Sequence, residues 1–317
     1  MPDLQGAAEI ASPRPVGGRS RNARVRGTAI TAASCSMREA FIEAACILRR
    51  AGIETPELDA RLLLCHAAGL SHETYVAKAN ATMALEAAAR FERALERRLK
   101  REPVSRITGT REFYGRKFLV GPETLDPRPD TETLIEAALA IAGANGGRNQ
   151  PLNLLDLGTG TGCILLTLLA ELPRARGIGT DKSEGALALA AANAERLGVR
   201  SRAGFIAADW LDGIAGKFDL ILSNPPYLDE KERRELPGEV ALYDPVLALD
   251  GGPDGLDAYR RIAAGAARTL AGAGRLIVEI GIAQGEAVAK IFRVAGLQIE
   301  AIRPDLSERP RAIVARG

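Results

Sequence analysis

The sequence predicts an α/β protein: a mostly parallel seven-stranded sheet, preceded by a small helical domain and a linking β-hairpin. Three observations predict this fold. Residues 37–102 carry apolar residues at helical spacing, residues 103–130 are rich in glycine and proline, and residues 131–317 alternate short apolar runs with helical patterns. Alternation of the last kind is typical of parallel strands covered by helices on both faces.

The composition argues against several classes of protein. Of 317 residues, 46% are hydrophobic and 26% are charged, which is typical of a soluble globular chain with room for two domains. The formal net charge of +2 does not favour a DNA-coating protein. No apolar run reaches the ~20 residues of a membrane-spanning helix. We expect a cytoplasmic protein with neither DNA nor a membrane as partner, and we expect it to be a monomer.

The cysteines and histidines do not predict a metal site. The four cysteines have no C-x-x-C spacing, and the chain has only two histidines. Scattered cysteines of this kind fit a reducing compartment rather than zinc binding.

Residues 1–36 are rich in proline, glycine, serine, alanine and arginine, a composition that predicts a disordered extension. A start codon placed too early, with Met37 as the real beginning, would also explain it. Import into an organelle is the alternative, because no acidic residue occurs between Ile10 and Arg38.

Residues 37–102 predict a helical domain. Gly52 can end its first helix. Thr55 and Pro56 favour the start of a second helix, as a hydroxyl cap and a first-turn proline, and Gly69 favours its end. The predicted apolar stripe of this second helix is Leu58, Leu62 and Cys65.

A third helix is predicted over residues 84–101, and one of its faces is basic. The basic residues are Arg90, Arg93, Arg97, Arg98, Lys100 and Arg101. A solvated helix face is the simpler interpretation, because Glu92 and Glu96 lie among them. The alternative is a docking face for an acidic partner or for RNA.

Residues 103–130 predict a connector, because glycine and proline recur through it. Inside it, Glu112-Phe-Tyr-Gly and Lys117-Phe-Leu-Val predict two short strands around a turn at Gly115 and Arg116. We expect this hairpin to join the helical domain to the sheet.

Short apolar runs in the remainder of the chain predict the seven strands. They cover residues 152–157, 177–180, 205–208, 218–223, 275–280, 297–302 and 312–315. The last two are joined by a short loop without a helix, a link that permits only antiparallel pairing. The sheet is therefore predicted to be Rossmann-like, with its last strand antiparallel.

A glycine-rich loop, Asp156-Leu-Gly-Thr-Gly-Thr-Gly, follows the first strand of the sheet. Gly158, Gly160 and Gly162 allow the backbone to turn sharply and to approach a ligand closely. The spacing differs from the dinucleotide fingerprint G-x-G-x-x-G, whose third glycine comes one position later. The loop, with Thr159 and Thr161 between its glycines, predicts a ligand site, and a tight strand–helix turn is the alternative.

Acidic residues at the next two strand ends suit a nucleoside. Asp181 ends the second strand and can accept hydrogen bonds from the hydroxyls of a ribose. Asp209 and Trp210 follow the third strand, where a carboxylate and an indole ring suit adenine. Because ligands of open α/β sheets bind at the carboxyl ends of the strands, these three ends together predict an adenosyl ligand.

The fourth strand ends in Asn224-Pro-Pro-Tyr. Pro225 and Pro226 lack N–H groups and therefore cannot continue the strand. The side-chain oxygen of Asn224 and the carbonyl of Pro225 offer two acceptors for a planar NH₂ group, and Tyr227 offers a ring to stack on it. A rigid turn with an asparagine cap is the alternative.

Two such acceptors would return electron density to a nitrogen whose lone pair is otherwise delocalised. Methyl transfer from a sulfonium would then depend on positioning rather than on a strong base. Because the positive charge of the sulfonium disperses during transfer, a water-poor pocket would favour the reaction. The stretch therefore predicts methylation of a planar nitrogen.

With these motifs, the chain resembles the HemK-type release-factor glutamine N5-methyltransferases over roughly residues 37–317. The other matching stretches are Glu102-Pro-Val-Ser-Arg-Ile-Thr-Gly, Arg111-Glu-Phe-Tyr-Gly, Pro127-Arg-Pro-Asp-Thr-Glu, Ala248-Leu-Asp-Gly-Gly-Pro-Asp-Gly-Leu and Glu279-Ile-Gly. The resemblance implies the sheet of a class I methyltransferase. It also implies S-adenosylmethionine as the methyl donor and S-adenosylhomocysteine as the product.

The resemblance implies roles for particular residues. Those that would contact the donor are Gly158, Thr159, Gly160, Thr161, Gly162, Asp181, Trp210 and Asn224. Those that would hold the substrate, the glutamine in the Gly-Gly-Gln motif of class I peptide chain release factors, are Asn224, Pro225, Pro226 and Tyr227. Arg128 and Glu132 would shape the pocket floor or, alternatively, pin the connector by ion pairs. The helical domain would help to bind the release factor.

Three alternatives remain at this point. An N6-adenine methyltransferase acting on DNA or RNA would use the same two acceptors, but the sequence has no separate domain for recognising its target. A nucleotide-dependent oxidoreductase would use the glycine loop. A non-catalytic binding module would not depend on Asn224 for any reaction.

Overall fold

The computed structural model describes residues 35–144 and 146–317. Apart from Cys35 and Ser36, the extension predicted over residues 1–36 lies outside the described residues. The Ser36 hydroxyl accepts a hydrogen bond from the backbone N–H of Glu39, and the Glu39 carboxylate accepts one from the N–H of Ser36. This reciprocal capping box satisfies two N–H groups at the start of the first helix.

Five helices lie between residues 37 and 108; the sequence predicts three of them, and the short third and fifth helices are additional, the fifth inside the predicted connector. The five helices are α1 (Met37–Arg50), α2 (Pro56–Ala68), α3 (His72–Ala77), α4 (Leu85–Leu99) and α5 (Val104–Thr108). The second helix ends before Gly69, whose φ of 66° supplies the left-handed turn that commonly follows a helix.

Two details predicted for α2 are wrong. Thr55 occupies the N-cap position, but its hydroxyl donates to the Asp59 side chain at 2.9 Å instead of capping the helix. Leu58 and Leu62 are each 43% exposed. The buried face carries Ala60, Leu63, Leu64 and Ala67 instead. The face differs from the prediction because α2 packs against both α1 and α4.

The linking hairpin forms as predicted, with a different turn. β1 (Thr110–Phe113) and β2 (Arg116–Leu119) pair antiparallel, and Phe113 lies opposite Arg116. The turn therefore consists of Tyr114 and Gly115, with φ of 49° and 68°, rather than of Gly115 and Arg116. Two central residues with positive φ are typical of the two-residue turns that suit the twist of a hairpin.

Within the described residues, the main sheet has seven strands, and the last is antiparallel as predicted. The strands are β3 (Asn153–Leu157), β4 (Arg176–Asp181), β5 (Ala203–Ala207), β6 (Phe218–Ser223), β7 (Leu270–Glu279), β8 (Gln298–Pro304) and β9 (Pro310–Arg316). Their order is β5-β4-β3-β6-β7-β9-β8, with β9 antiparallel to both neighbours. The strand order reverses between β3 and β6, which is where sheets of this type bind ligands.

Helices cover both faces of the sheet. They are α6 (Glu132–Ala144), α7 (Cys163–Glu171), α8 (Glu184–Arg196), α11 (Asp257–Thr269) and α12 (Gly285–Val294). Two short helices without buried residues, α9 (Glu230–Arg234) and α10 (Gly238–Tyr243), lie in the segment between β6 and α11. Leu154 packs in the hydrophobic layer that contains α6 and α7, whereas Leu155 packs in the layer with α11 and α12. Side chains alternate between the two faces along a strand, and both faces of this sheet are buried, which explains why the sequence of β3 is a nearly continuous apolar run.

A buried ion-pair network joins the helical region to the segment after β6. Arg98 of α4 is 5% exposed. Its Nε donates to Asp59 at 2.6 Å, and its Nη1 donates to Glu239 of α10 at 2.8 Å. Arg101 donates to the backbone carbonyls that follow α1. Arg90 donates to the Ala67 carbonyl and Arg97 to Glu102, so four members of the predicted basic face serve internal contacts, which weakens its interpretation as a docking face.

Residues 35–144 and 146–317 contain neither a membrane-spanning helix nor a cluster of metal-binding side chains. None of the helices in these ranges is both long and apolar enough to span a bilayer. In the same ranges, no group of three or more His, Cys, Asp or Glu side chains is placed so that it could hold a metal ion.

Replacing Arg98 by alanine should lower the free energy of unfolding by about 3–5 kcal/mol, because it leaves the buried Asp59 carboxylate without its cation. Urea denaturation followed by circular dichroism measures the change. Arg93→Ala on the exposed face of the same helix is the matched control, with an expected change within about 0.5 kcal/mol. Equal stability of the two variants would show that the network adds no net stability.

Candidate functional site

Two neighbouring strands bring the predicted site residues together. β3 and β6 pair in parallel, with Leu157 opposite Ser223. The Ser223 hydroxyl donates to the Leu157 carbonyl at 2.8 Å and so ties the two strand ends. Gly158 and Asn224, which follow these residues, therefore start side by side at the carboxyl edge of the sheet.

The glycine loop turns tightly from β3 into α7. Gly158, Gly160 and Gly162 have φ of 69°, 53° and 79°, left-handed conformations that glycine adopts without steric cost. A Cβ atom at Gly162 would lie 2.9 Å from the Leu166 side chain, closer than carbon atoms approach each other. The loop therefore depends on glycine for its backbone conformation and, at Gly162, also for space.

Asp181 ends β4 as predicted and also holds the glycine loop. Its Oδ2 accepts from the backbone N–H of Gly160 at 2.9 Å, and its Oδ1 accepts from the N–H of Ser183 at 2.9 Å. Each carboxylate oxygen has a second lone pair, so Asp181 can still accept hydrogen bonds from hydroxyl groups in the crevice. The structure thus adds a role in fixing the loop that the sequence did not indicate.

Asp209 and Trp210 follow β5 and show two unusual features. The Asp209 Oδ2 atom pairs with Lys182 at 3.1 Å and Arg261 at 2.7 Å, while its Oδ1 atom is buried with no partner among the described residues. Trp210 has a φ of 56°, which is rare for a bulky residue and is found mainly at turns and functional sites. Its ring lies against Gly158.

The strand ends surround a cavity of about 620 Å³, within the range of ~300–1,000 Å³ typical of small-molecule sites. Most of the predicted site residues line it. They are Arg128, Gly158, Thr159, Gly160, Thr161, Asp181, Trp210, Asn224 and Pro226. Among the described residues, Gly162, Pro225 and Tyr227 belong to the predicted site but are not part of the cavity wall.

Asn224 begins a hydrogen-bond chain that runs into the core. Its Nδ2 donates to the Thr131 hydroxyl at 3.0 Å, and that hydroxyl donates to Oε2 of Glu279 at 2.6 Å. Thr131 and Glu279 are buried, whereas Asn224 is half-buried and lines the cavity. Within the described part of the chain, Oδ1 of Asn224 has no hydrogen-bond partner, which leaves it as an acceptor for a ligand.

Pro225 and Tyr227 lie behind this acceptor. Pro225 is buried, and Tyr227 packs against the hydrophobic layer that contains α11 and α12. The Tyr227 backbone carbonyl accepts from Nε2 of Gln284 at 2.8 Å. Burial, assisted by the negative charge of Glu279, raises the pKa of Tyr227 to about 12. Its phenol is therefore neutral at neutral pH and is not poised to act as a base.

The two connector residues differ in their placement. Arg128 lines the cavity, and its Nη2 also donates to Asp244 at 2.6 Å, so it both borders the pocket and pins the connector. Glu132 accepts a hydrogen bond from the backbone N–H of Tyr114 at 2.8 Å and thereby holds the hairpin turn. Among the described residues, Glu132 is not one of those that line the cavity.

Two carboxyl groups are buried close to the cavity. Burial raises the pKa of Asp156 to about 7, and it raises the pKa of Glu279 to about 7 as well. A threonine hydroxyl donates to each of them, Thr159 to Asp156 at 2.6 Å and Thr131 to Glu279. Negative charge in this poorly solvated region favours a positively charged ligand.

Thr131 and Glu279 were not among the site residues predicted from the sequence. Thr131 is 93 positions from Asn224 and 148 positions from Glu279, so only the folded sheet shows that they are in contact. One signal in the sequence could have pointed to them: each lies in a stretch that matches the HemK-type family, Pro127-Arg-Pro-Asp-Thr-Glu for Thr131 and Glu279-Ile-Gly for Glu279. Lys182 and Arg261, which also line the cavity, carried no such signal.

Two family models match the chain. The PrmC N-terminal domain matches residues 39–109, and the methyltransferase small domain matches residues 146–239. Among solved structures, a methyltransferase from Pyrococcus furiosus has a TM-score of 0.46 at 15% identity. The alignment covers 64% of this chain and 89% of that one, and the likeness is too distant to bear on the argument.

Relatives are similar over most of the chain. A release factor glutamine methyltransferase from Cereibacter sphaeroides is 51% identical over 85% of this chain and 94% of its own length. A relative of the same name from Rhodospirillum rubrum is 48% identical over 85% of this chain and 81% of its own length. Another, from Bradyrhizobium diazoefficiens, is 46% identical over 85% of this chain and 91% of its own length. Identity of this extent shows that the chain belongs to the release factor glutamine methyltransferase family.

Proposed function

We propose that this enzyme transfers a methyl group from S-adenosylmethionine to the side-chain amide nitrogen, N5, of the glutamine in the Gly-Gly-Gln motif of class I peptide chain release factors. The observation that carries the proposal is the placement of Asn224. Its amide is anchored through Nδ2 to Thr131, and it lines the cavity next to the glycine loop. The names of the bacterial relatives support the same substrate and a cytoplasmic location.

The residues around the cavity fit S-adenosylmethionine. The buried Oδ1 atom of Asp209 has no partner among the described residues and would accept a hydrogen bond from the adenine amino group. Asp181 would accept from the ribose hydroxyls, and the loop of Gly158, Gly160 and Gly162 would lie against the methionine part. The buried carboxyl group of Asp156 would favour the positive charges of the donor.

When bound, S-adenosylmethionine supplies an electrophilic methyl group on a positively charged sulfur. The contribution of the protein is to hold the glutamine amide in line with that methyl group. Asn224 Oδ1 and the Pro225 carbonyl would accept the two N–H groups of the substrate amide, so that the nitrogen lone pair points at the methyl carbon. Correct positioning can contribute several kcal/mol of the barrier reduction, out of a ceiling of about 7–11 kcal/mol.

The proton balance requires no strong base beforehand. As the nitrogen forms its bond to the methyl carbon, the C–S bond breaks and S-adenosylhomocysteine is the leaving group. The nitrogen then becomes acidic, and its proton passes to water after transfer. Tyr227, with a pKa of about 12, remains a neutral ring and would support the substrate amide from behind the cavity wall. Residues 224–227 would therefore act by geometry rather than by proton transfer.

We also propose that residues 37–102 form the domain that helps to bind the release factor, with residues 103–130 as a connector to the methyltransferase domain. The match of residues 39–109 to the PrmC N-terminal domain supports a separate unit. The other four members of the basic face donate to residues of the chain itself, so Arg93 and Lys100 remain as exposed side chains for an acidic partner.

The same acceptors would suit the amino group of adenine, which is the alternative of an N6-adenine methyltransferase. The relatives named above do not favour it. Incubation with labelled S-adenosylmethionine and either purified release factor or DNA separates the two activities. Label in DNA alone would overturn the proposed substrate.

Replacing Asn224 by alanine should lower the rate of methyl transfer by about 100-fold, because the substrate amide loses a fixed acceptor. The dissociation constant for S-adenosylmethionine should change by less than about threefold, a difference of under 1 kcal/mol. Mass spectrometry of the Gly-Gly-Gln peptide detects the added CH₂ group, and calorimetry measures donor binding. Asn80→Ala, at an exposed position, should behave as wild type. Full transfer by the Asn224 variant would contradict the role given to this residue.

Replacing Asp181 by asparagine should weaken S-adenosylmethionine binding by about tenfold, because a charged acceptor for the ribose and for the glycine loop is lost. The rate at saturating donor should be much less affected, since Asp181 lies away from the reacting groups. Calorimetry and saturation kinetics measure the two effects separately. Asp212→Asn removes a carboxylate that is 71% exposed and serves as the control. Unchanged donor affinity in the Asp181 variant would show that the donor binds elsewhere.

A further inference from the structure

We propose that Glu279, acting through Thr131, is a positioning residue that fixes the Asn224 side-chain amide with its oxygen towards the substrate nitrogen. This inference rests on the proposed function and adds two residues to it. We call the hydrogen-bonded series Asn224, Thr131 and Glu279 the orienting chain.

The orienting chain connects three separate elements. Asn224 follows β6, Glu279 ends β7, and Thr131 lies in the 3₁₀ turn Pro129–Thr131 before α6. Ser223 pairs with Val278, so Asn224 and Glu279 follow on adjacent parallel strands. Thr131 bridges them, with distances of 3.0 Å to Asn224 and 2.6 Å to Glu279.

The direction of the orienting chain follows from its buried end. An ionised carboxylate can only accept hydrogen bonds, so the single proton of the Thr131 hydroxyl must point at Glu279. The lone pairs of that hydroxyl then accept from Asn224, and only the NH₂ end of the asparagine amide can donate. The Oδ1 end is consequently turned away from Thr131. Ionised Glu279 thus selects one of the two orientations of the amide, which differ little in shape.

Protonation of Glu279 removes this selection. A protonated Glu279 can donate its own proton to the Thr131 hydroxyl, and the hydroxyl can then donate to Asn224. An amide that accepts from Thr131 through Oδ1 presents its NH₂ group to the cavity. The NH₂ group of Asn224 would then face the NH₂ group of the substrate amide. Both groups are donors, so no hydrogen bond forms between them and this orientation would not hold the substrate.

The surroundings of Glu279 place its ionisation in the range of ordinary assays. The charged and titratable groups that face it are Arg311 on β9, Arg128 and Asp130 before α6, Cys163 on α7, Tyr227 after β6 and Tyr259 on α11. Burial raises the pKa of Glu279 most, and the negative charge of Asp130 raises it further. The hydrogen bond from Thr131 and the positive charges of Arg311 and Arg128 lower it, and the resulting pKa is about 7. Both tyrosines have raised pKa values and are neutral there. The active, ionised form therefore grows as the pH rises through about 7.

The decisive variants change the orienting chain with little change in shape. Glu279→Gln imitates the protonated acid, and Thr131→Val removes the hydroxyl. We expect each to lower kcat by about tenfold or more, because a hydrogen bond to a charged group is lost. Thr131→Ser keeps the hydroxyl and should retain kcat within about threefold. Thr167→Val is the matched control, because the buried Thr167 hydroxyl has no partner among the described residues.

Two measurements separate orientation from a merely structural role. The pH profile of kcat with purified release factor should rise through about 7 in the wild type, and the Glu279→Gln variant should lack this limb. In ¹⁵N-asparagine-labelled protein without substrate, the Asn224 side-chain N–H signals, assigned with Asn224→Asp, should titrate over the same pH range. They should not titrate in Glu279→Gln. The donor affinity of Glu279→Gln and of Thr131→Val should match that of Thr167→Val.

The outcomes are distinct. A wild type that does not methylate release factor would refute the proposed function, and the NMR titration would still test the orienting chain. If the wild type is active, an unchanged kcat and pH limb in Glu279→Gln would overturn the orienting chain. Equal impairment of Thr131→Ser and Thr131→Val, or a loss of activity explained by lost donor binding, would also overturn it. The orienting chain would be supported if Thr131→Val lowers kcat while Thr131→Ser retains it, and if Glu279→Gln loses both the pH dependence of kcat and the titration of the Asn224 N–H signals.

Discussion

The parallel pairing of β3 with β6 is the constraint on which the rest of the structure depends. It forces the glycine loop and Asn224 to leave the sheet side by side, because Leu157 and Ser223 are in register. A shift of one residue would turn Asn224 to the opposite face of the sheet, since side chains alternate along a strand. The bond from the Ser223 hydroxyl to the Leu157 carbonyl opposes such a shift at the strand ends.

The site stabilises negative charge poorly, and this has a thermodynamic consequence. Asp156 and Glu279 are buried, and their pKa values lie near 7, above the usual 3.8 and 4.5. Between these values the folded state binds more protons than the unfolded state, so both acids reduce stability as the pH rises from about 4 to about 7. The threonine hydroxyls that donate to them limit this cost but do not remove it. A site that favours a cationic donor therefore carries buried acids at the expense of stability.

Much of the fold could be predicted because local signals agreed with each other. The apolar runs, the short link before β9 and the glycines at 69 and 115 each act within a few residues. The glycine loop and Asp181 were found in the same way, since the ends of successive strands meet at one edge. Thr131 and Glu279 could not be placed, because their contact depends on a turn before α6 meeting the end of β7. The exposed Leu58 and Leu62 show the same limit, because tertiary contacts rather than spacing decide which face of α2 is buried.

The segment between β6 and α11 links the cavity to the helical region through charges rather than apolar packing alone. Asp244 is buried and accepts from Arg106 at 2.8 Å and from Arg128 at 2.6 Å, while Glu239 pairs with Arg98. Because each buried charge would be costly without its partner, these pairs hold the segment in one place relative to the connector. Arg128 is also part of the cavity wall, so the ion pairs that position the helical region also set the shape of the cavity. Arg106 of α5 and Arg128 of the cavity wall therefore share one buried carboxylate, and the position of each depends on Asp244.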